Sequence, residues 1–488
     1  MTATTLHPDV ALRGQHFIGG EVPGGGPEQA VPHVYPVTGE PIASVSIASA
    51  AEVDRAVRSA ADAFPAWRDL NPTVRRALLV RLADLIAANK HEFDVLNAYE
   101  MGVPLSRGSA APLTALWFHY YAGWIDKLDG HVPPLATAAG FGYTRLEPYG
   151  VIAAIVPFNG ALIDVGLKVA PALAAGNTVV IKPSELAPFS PVRFAELAIE
   201  AGLPAGVVNV VQGAGETGDA LVRHHLVKKV SFTGGGPTAA KILAAVAPSL
   251  KPVVTELGGK SANIIFPDAD LDEAIAFSCH FPLAVNAGQN CQKPSRLFIH
   301  DSIYDEAIDR LVATAESFVL GDPFDLATTM GPVISERAVE HATGMVRQAV
   351  ERHEGRLVTG GARIGGELKT GYFVQPTIVA DVQNSTPLAQ EEIFAPVLAV
   401  LRFRTEDEVV AMANDTDFGL ASYIQTRDLG TAHRVAARLE AGMVNVNGFY
   451  NANPGSPFGG YKQSGSGREG GRWGIDEFLQ VKNVFMKI

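Results

Sequence analysis

Cysteine is nearly missing from this chain. Cys279 and Cys291 are the only two in 488 residues. Two thiols cannot build a disulfide framework or a multi-thiolate zinc site, and their scarcity fits a reducing compartment, the cytoplasm. The thirteen histidines show no metal-ligand spacing. The adjacent His224 and His225 would point apart on a helix, so no metal is expected. Basic runs are missing too. Arg75-Arg76 and Lys228-Lys229 are isolated pairs, expected on solvated faces. With a net charge of −12, the chain is not built to hold nucleic acid. No apolar run is long and unbroken. The longest, residues 150–181, is interrupted by Pro157, Asn159, Asp164, Lys168 and Pro171. That excludes a membrane span and reads as a buried strand, turn and helix. Residues 1–13 lack an apolar core behind a positive start, so no signal peptide is expected. No internal repeat or low-complexity segment occurs.

What is present is a large supply of core. The chain is 47% hydrophobic, and its length suggests roughly three domains. Residues 1–48 look like an arm of short strands, with turns at Gly24-Gly25-Gly26 and at 36–41. Ser49 and Glu52 have the form of a capping box, opening a helix with Val53, Ala56, Val57, Ala60 and Phe64 on one face. Asn71-Pro72 opens a second helix. A third carries Trp117, Tyr120, Tyr121 and Trp124, expected to be packing residues. From residue 150, β-branched runs at 151–156, 178–182, 207–211, 229–232 and 252–256 alternate with helices starting near Leu162, Pro191, Glu216 and Pro237. This alternation predicts an α/β fold with a doubly wound parallel sheet, whose ligands bind at the carboxyl ends of the strands. A second alternating region, 261–443, has strands near Ile264, 297–300, 397–403 and 422–425. Its helices are expected at 272–287, 303–318, 336–353 and 407–413.

Several stretches carry chemistry. Glu256-Leu257-Gly258-Gly259-Lys260 and Gly288-Gln289-Asn290-Cys291 together offer a carboxylate and a thiol. A thiol attacks carbonyls, and a carboxylate activates the water that releases the adduct. Cys291 alone reads either as a small core residue or as a nucleophile, and the non-helical residues before it favour exposure. Cys279 lies in an apolar helical pattern and belongs to the core. Gly213, Gly215 and Gly218 match GxGxxG between a strand and a helix, a weak signal without a following acidic residue. Thr233-Gly234-Gly235-Gly236 before Pro237 is as good a phosphate turn. Lys182 and Glu185 follow a strand. Glu185 reads as a ribose ligand that would repel a 2′-phosphate, or equally as half of a surface ion pair.

These stretches stand in the order of a known family. The chain resembles the NAD(P)-dependent aldehyde dehydrogenases over nearly its whole length, through seven segments. They are Pro157-Phe158-Asn159, Lys182-Pro183-Ser184-Glu185, Phe232-Thr233-Gly234, Glu256 to Lys260, Gly288 to Cys291, Glu391 to Pro396, and Pro457 to Gly465. The resemblance implies Cys291 as nucleophile, Glu256 as general base, and Asn159 with the Cys291 amide as oxyanion hole. It implies cofactor contacts from Val156, Pro157, Phe158, Lys182, Ser184, Glu185, Leu257 and Gly258. Phe232, Thr233, Gly234 and Gly235 would face the pyrophosphate, Gly213 and Gly215 the adenine, and Glu392 and Phe394 the nicotinamide end. NAD is expected over NADP because of Glu185.

The resemblance also implies a division of the chain. Residues 1–130 with 149–256 would bind NAD, and 257–445 would carry the nucleophile. Residues 131–148 with 472–488 would join subunits of a homodimer or homotetramer, and 446–471 would shape the substrate site. There are departures. Gly235 replaces a usual Ser, and the segment before Glu256 is one residue short. Gly160, Leu167 and Ala452 stand where many members carry rings, and Asn290 and Gln292 flank the nucleophile. With Phe458 these residues form the expected tunnel, widened for a bulky aromatic, terpenoid or medium-chain aldehyde. Asp164 near this wall reads as an i,i+4 pair with Lys168 on the helix surface. Two other functions compete. In transfer of the acyl group to coenzyme A, a water-activating Glu256 would waste the thioester. A non-catalytic protein on the same fold would not need Asn159, Glu256 and Cys291 together.

Overall fold

A computed structural model describes residues 10–23, 29–136, 139–448 and 453–487. The Gly24-Gly25-Gly26 turn and Ala452 lie outside the described residues. The fold is built on two sheets. The first has six strands in the order Gly465–Ser466, Val253–Glu256, Val227–Thr233, Val151–Ile155, Thr178–Lys182 and Val208–Val210. All but the edge strand Gly465–Ser466 run parallel. Val151–Ile155 comes first in sequence yet sits in the middle, so the winding reverses beside it, where such sheets leave a crevice. The register brings the strand ends level: Ile155 pairs with Lys182 and Phe232, and Thr233 with Glu256.

Sequence signals set the helices that cover this sheet. Ser49 caps the Ala50–Arg68 helix with the reciprocal Glu52 bond of a capping box. Asn71 caps Pro72–Ala88, with Pro72 in the first turn where its missing N–H costs nothing. Trp117 and Tyr121 are buried in the core, as expected of packing residues. The expected helix starts near Leu162, Pro191, Glu216 and Pro237 fall within helices Ala161–Ala174, Phe189–Glu200, Gly215–Arg223 and Gly236–Val246.

The second sheet has seven strands in the order Arg356–Thr359, Thr377–Ala380, Val397–Phe403, Arg296–His300, Ala262–Ile265, Ala421–Gln425 and Met443–Val446. Only Arg356–Thr359 is antiparallel to its neighbour. Cys279 is fully buried in the core on this sheet, as expected. Strand Phe141–Pro148 pairs antiparallel with Leu479–Met486, apart from both sheets.

Three expectations are corrected. His224 lies just past the end of Gly215–Arg223, so the rings of His224 and His225 stack at 4.8 Å instead of diverging. Arg75 and Lys229 are buried, not solvated. Arg75 donates to the carbonyls of Trp67 and Arg68, and Lys229 pairs with Glu477 at 2.8 Å. The helix expected over 272–287 ends at Cys279. A wide turn, His280–Ala284, follows around Pro282, which cannot donate to the helix ladder.

Candidate active site

The loop before Cys291 is backbone under strain. Asn286, Ala287 and Gly288 all take positive φ, at 49°, 51° and 70°. The left-handed region costs a non-glycine residue about 1–2 kcal/mol, so its neighbours must hold it. The Gln289 side chain does much of this. Its Nε2 donates to the Asn286 carbonyl at 2.9 Å, and its Oε1 accepts from the Ile334 amide at 2.8 Å. Beyond the cysteine, Tyr423 donates its hydroxyl to the Gln292 carbonyl at 2.9 Å. Cys291 is thus fixed from both sides, half-buried in the wall of a cavity of about 620 Å³.

Asn159 and Glu256 reach the same cavity from the first sheet. Asn159 follows the strand Val151–Ile155. Its Nδ2 donates to the Gln289 carbonyl at 3.1 Å, and its own carbonyl accepts from Asn286 Nδ2 at 3.0 Å. Glu256 ends its strand, is 3% exposed, and its Oε1 has no hydrogen-bond partner. The carboxylate and thiol that are far apart in sequence therefore share one chamber.

The other expected residues fall on the wall in two groups. Val156, Pro157, Phe158, Lys182, Ser184, Glu185, Gly215, Phe232, Thr233, Gly234 and Gly235 border the crevice of the first sheet. Leu257, Gly258, Glu392 and Phe394 also line it, while Gly160, Leu167, Asn290, Gln292 and Phe458 lie around the thiol and its approach. Gly213 stands back from the wall. Its φ of 153° serves the turn, and a Cβ there would meet Thr217 Oγ1 at 2.1 Å. Lys182 is buried and lines the cavity, which rules out its reading as half of a surface pair.

Glycine matters most at Gly258, where a Cβ would sit 2.0 Å from Glu392 Oε2. That close approach lets the Gly259 amide donate to Glu392 Oε1 at 3.0 Å. Phe394 has φ 55°, and its ring meets Phe158 edge to face at 5.8 Å.

The charges here are buried together. Asp164 and Lys168 are not a surface pair, because the Ala161–Ala174 helix is buried nearly all round. Lys168 Nζ lies 2.5 Å from Glu469 Oε1 and 4.0 Å from Asp164 Oδ1. The sequence pattern missed Glu469. Its signal was a lysine in an apolar helix, since a buried ammonium needs a carboxylate. Reciprocal backbone bonds with Phe458, at 2.6 and 2.7 Å, carry Glu469 to the cavity.

Burial, then the Glu469 charge, hold the Glu256 carboxyl well above the usual carboxylate range, while Lys168 pulls it back. Burial likewise lifts the Cys291 thiol, with Glu256 the foremost charge acting on it. Burial raises Asp164 to about 7. No group of metal-ligating side chains occurs among the described residues, and no helix among them is long and apolar enough to cross a membrane.

The comparisons with known proteins agree with this architecture. The sequence model of the Aldehyde dehydrogenase family matches residues 23–484. The mitochondrial aldehyde dehydrogenase of Equus caballus is 42% identical over 493 residues, covering 100% of this chain and 97% of that one. The betaine aldehyde dehydrogenase of Cereibacter sphaeroides is 41% identical over 478 residues, 96% of each chain. A solved gamma-glutamyl-gamma-aminobutyraldehyde dehydrogenase from Burkholderia cenocepacia superimposes with a TM-score of 0.94 at 40% identity, over 98% of this chain and 97% of that one. An indole-3-acetaldehyde dehydrogenase solved in complex with NAD+ gives 0.94 at 38% identity over 98% of both. On full-length identity and shared fold, the chain belongs to the aldehyde dehydrogenase family, enzymes that oxidise aldehydes to acids.

Proposed function

We propose that this enzyme oxidises a bulky aldehyde to its carboxylic acid with NAD, through a thioester on Cys291. The single observation that carries the reading is one cavity lined by Cys291, Asn159 and Glu256. The Cys291 thiol first gives up its proton to solvent in the open cavity, and the reacting form is the thiolate. The sulfur adds to the aldehyde carbon and an oxyanion forms. Asn159 Nδ2 has two hydrogens and gives one to Gln289, which leaves the other for the oxyanion beside the Cys291 amide. Such a donor is typically worth about 3 kcal/mol. When bound, a dinucleotide would supply the acceptor for the hydride that leaves the adduct carbon, which becomes a thioester. Glu256 then takes a proton from water, the hydroxyl adds to the thioester carbon, and the Cys291 thiolate leaves.

The residues present fit a dinucleotide. The Gly236–Val246 helix begins without a side-chain cap; Pro237 has no N–H and the Thr238 and Ala239 amides donate to the Gly235 carbonyl, so the Gly236 amide is the donor this helix start would offer a pyrophosphate. A Cβ at Gly215 or Gly236 would meet open space, and one at Gly235 nothing closer than 3.9 Å, so the backbone there is open to a ligand. Lys182 and Glu185 would hold the adenosine ribose, and Glu392 the nicotinamide ribose. Glu185 opposes a 2′-phosphate by like charge. Glu185→Gln should shift the kcat/KM ratio toward NADP by about tenfold or more, read as reduced-cofactor absorbance with each dinucleotide. An unchanged ratio would remove Glu185 from cofactor choice.

Gly160 and Leu167 leave the approach to Cys291 wide. In a screen of NADH formation with purified enzyme, benzaldehyde-like and long-chain aldehydes should give higher kcat/KM than acetaldehyde. The opposite order would defeat the proposed substrate class. The two-sheet division supports the expected cofactor and nucleophile domains. Phe141, Val481, Phe485 and Met486 are exposed on the strand pair apart from both sheets. This apolar edge is where two or four copies would join.

A further inference from the structure

The cavity wall carries a carboxylate that the proposed chemistry does not use. Asp164 is 8% exposed and lines the cavity with Leu113, Ile163, Leu167 and Phe458. Beyond the Thr233 side chain, which bonds to it, its one charged neighbour within ion-pair reach is only loosely engaged. Lys168 Nζ stands 4.0 Å from Asp164 Oδ1, because Glu469 holds that ammonium at 2.5 Å. Gly160 leaves the other oxygen uncovered. A Cβ at Gly160 would lie at contact distance, 3.5 Å, from Asp164 Oδ2, so a side chain there would cover it. A second acid points the same way. Glu469 Oε2, on a residue 5% exposed, lines this cavity and lacks a hydrogen-bond partner. A carboxylate among apolar side chains is costly to bury unless a donor reaches it. Here the open side is the path of the substrate.

We propose that Asp164 selects aldehydes carrying a hydrogen-bond donor, a hydroxyl or an ammonium, on the body of the substrate. This rests on the reading that the aldehyde approaches Cys291 past Gly160 and Leu167. A substrate O–H or N–H donates to Asp164 Oδ2 in the space over Gly160, and the apolar residues around it take the ring or chain. A plain hydrocarbon aldehyde would fill the same volume but leave Asp164 without this further donor, the kind of loss that discriminates between substrates.

The test uses size-matched pairs on the purified enzyme. One pair is meta-hydroxybenzaldehyde with meta-methylbenzaldehyde. The other is para-(aminomethyl)benzaldehyde with para-ethylbenzaldehyde. The enzyme should prefer the donor-bearing member of at least one pair by about tenfold or more in kcat/KM, and the pair that shows it separates hydroxyl from ammonium. Asp164→Leu should collapse that preference. Asp164→Asn, which keeps an acceptor oxygen but no charge, should keep a hydroxyl preference and lose an ammonium one. Gly160→Ala, which covers Oδ2 without altering the acid, should narrow the ratio even if the Asp164 variants fail to fold. Equal kcat/KM within both pairs for the unaltered enzyme would overturn the proposal, as would a preference that survives in folded Asp164→Leu. If no aldehyde of any kind yields NADH, the proposed function itself fails, a distinct result.

Discussion

Cys291→Ser should lower aldehyde turnover roughly 10⁴-fold or more while leaving the protein folded, since loss of a nucleophile costs on that scale. The sulfur sits in a cavity wall and is not packed in the core, so replacing it by oxygen removes little buried contact. A serine hydroxyl in this place has no base tuned to it, and burial among Glu256, Asp164 and Glu392 would oppose its ionisation as it opposes that of the thiol. Cys279→Ser is the control. That thiol is enclosed by the core on the second sheet and pushed up to about 12 by burial, so its loss should affect stability and not turnover. Initial rates of NADH formation and thermal unfolding of both variants check the pair. Turnover retained by Cys291→Ser would contradict the assignment.

Glu256→Gln should slow steady-state turnover by about 10²–10⁴-fold, the usual contribution of a general base, but by way of a different step. The amide cannot take a proton from water, so the thioester should persist. NADH should then appear as a rapid burst close to one equivalent per active site, followed by a slow phase. The pH dependence follows from the sign of the shift. Burial and Glu469 hold the Glu256 carboxyl well above its ordinary value, so the working carboxylate forms only as pH rises through that raised value. Turnover should fall on acidification at a pH above the usual carboxylate range, and Glu256→Gln should lose that limb. A raised carboxyl pKa also means that ionising the group costs the folded state stability as pH rises, so Gln should not lower the unfolding temperature in alkaline buffer. Coenzyme A separates hydrolysis from acyl transfer. If the physiological acceptor were this thiol, adding it would restore turnover in the variant and accelerate the unaltered enzyme.

The strands of the first sheet were legible because they are buried on both faces. Their Val and Ile runs need no interpretation of pattern, and Thr178–Lys182, like Val397–Phe403 of the second sheet, falls where the sequence puts it. Most of the cavity wall was legible for another reason. Segments that gather at strand ends are those in which glycine, asparagine and acids interrupt hydrophobic runs. What escaped depended on tertiary packing. Lys168 and Asp164 have the spacing of an exposed ion pair, and only the covering of the Ala161–Ala174 helix on all sides turns them into a buried cluster with Glu469. The turn ahead of Cys291 escaped because its left-handed residues include Ala287, which no local rule places there. The Asn286 and Gln289 side chains, bonded to neighbouring loops, hold it instead. Arg75 was read as solvated for want of a visible partner, and its partners are backbone carbonyls.

The central claim is that Cys291 and Glu256 work on one substrate in one chamber, the first forming the acyl bond and the second breaking it. Intact-mass measurement of Glu256→Gln, quenched with acid within seconds of mixing with NAD and a reactive aromatic aldehyde, tests it most directly. The protein should gain the mass of one acyl group, and peptide mapping should place it on Cys291. An unmodified protein after a full burst of NADH, or an acyl group found on any other residue, would contradict it.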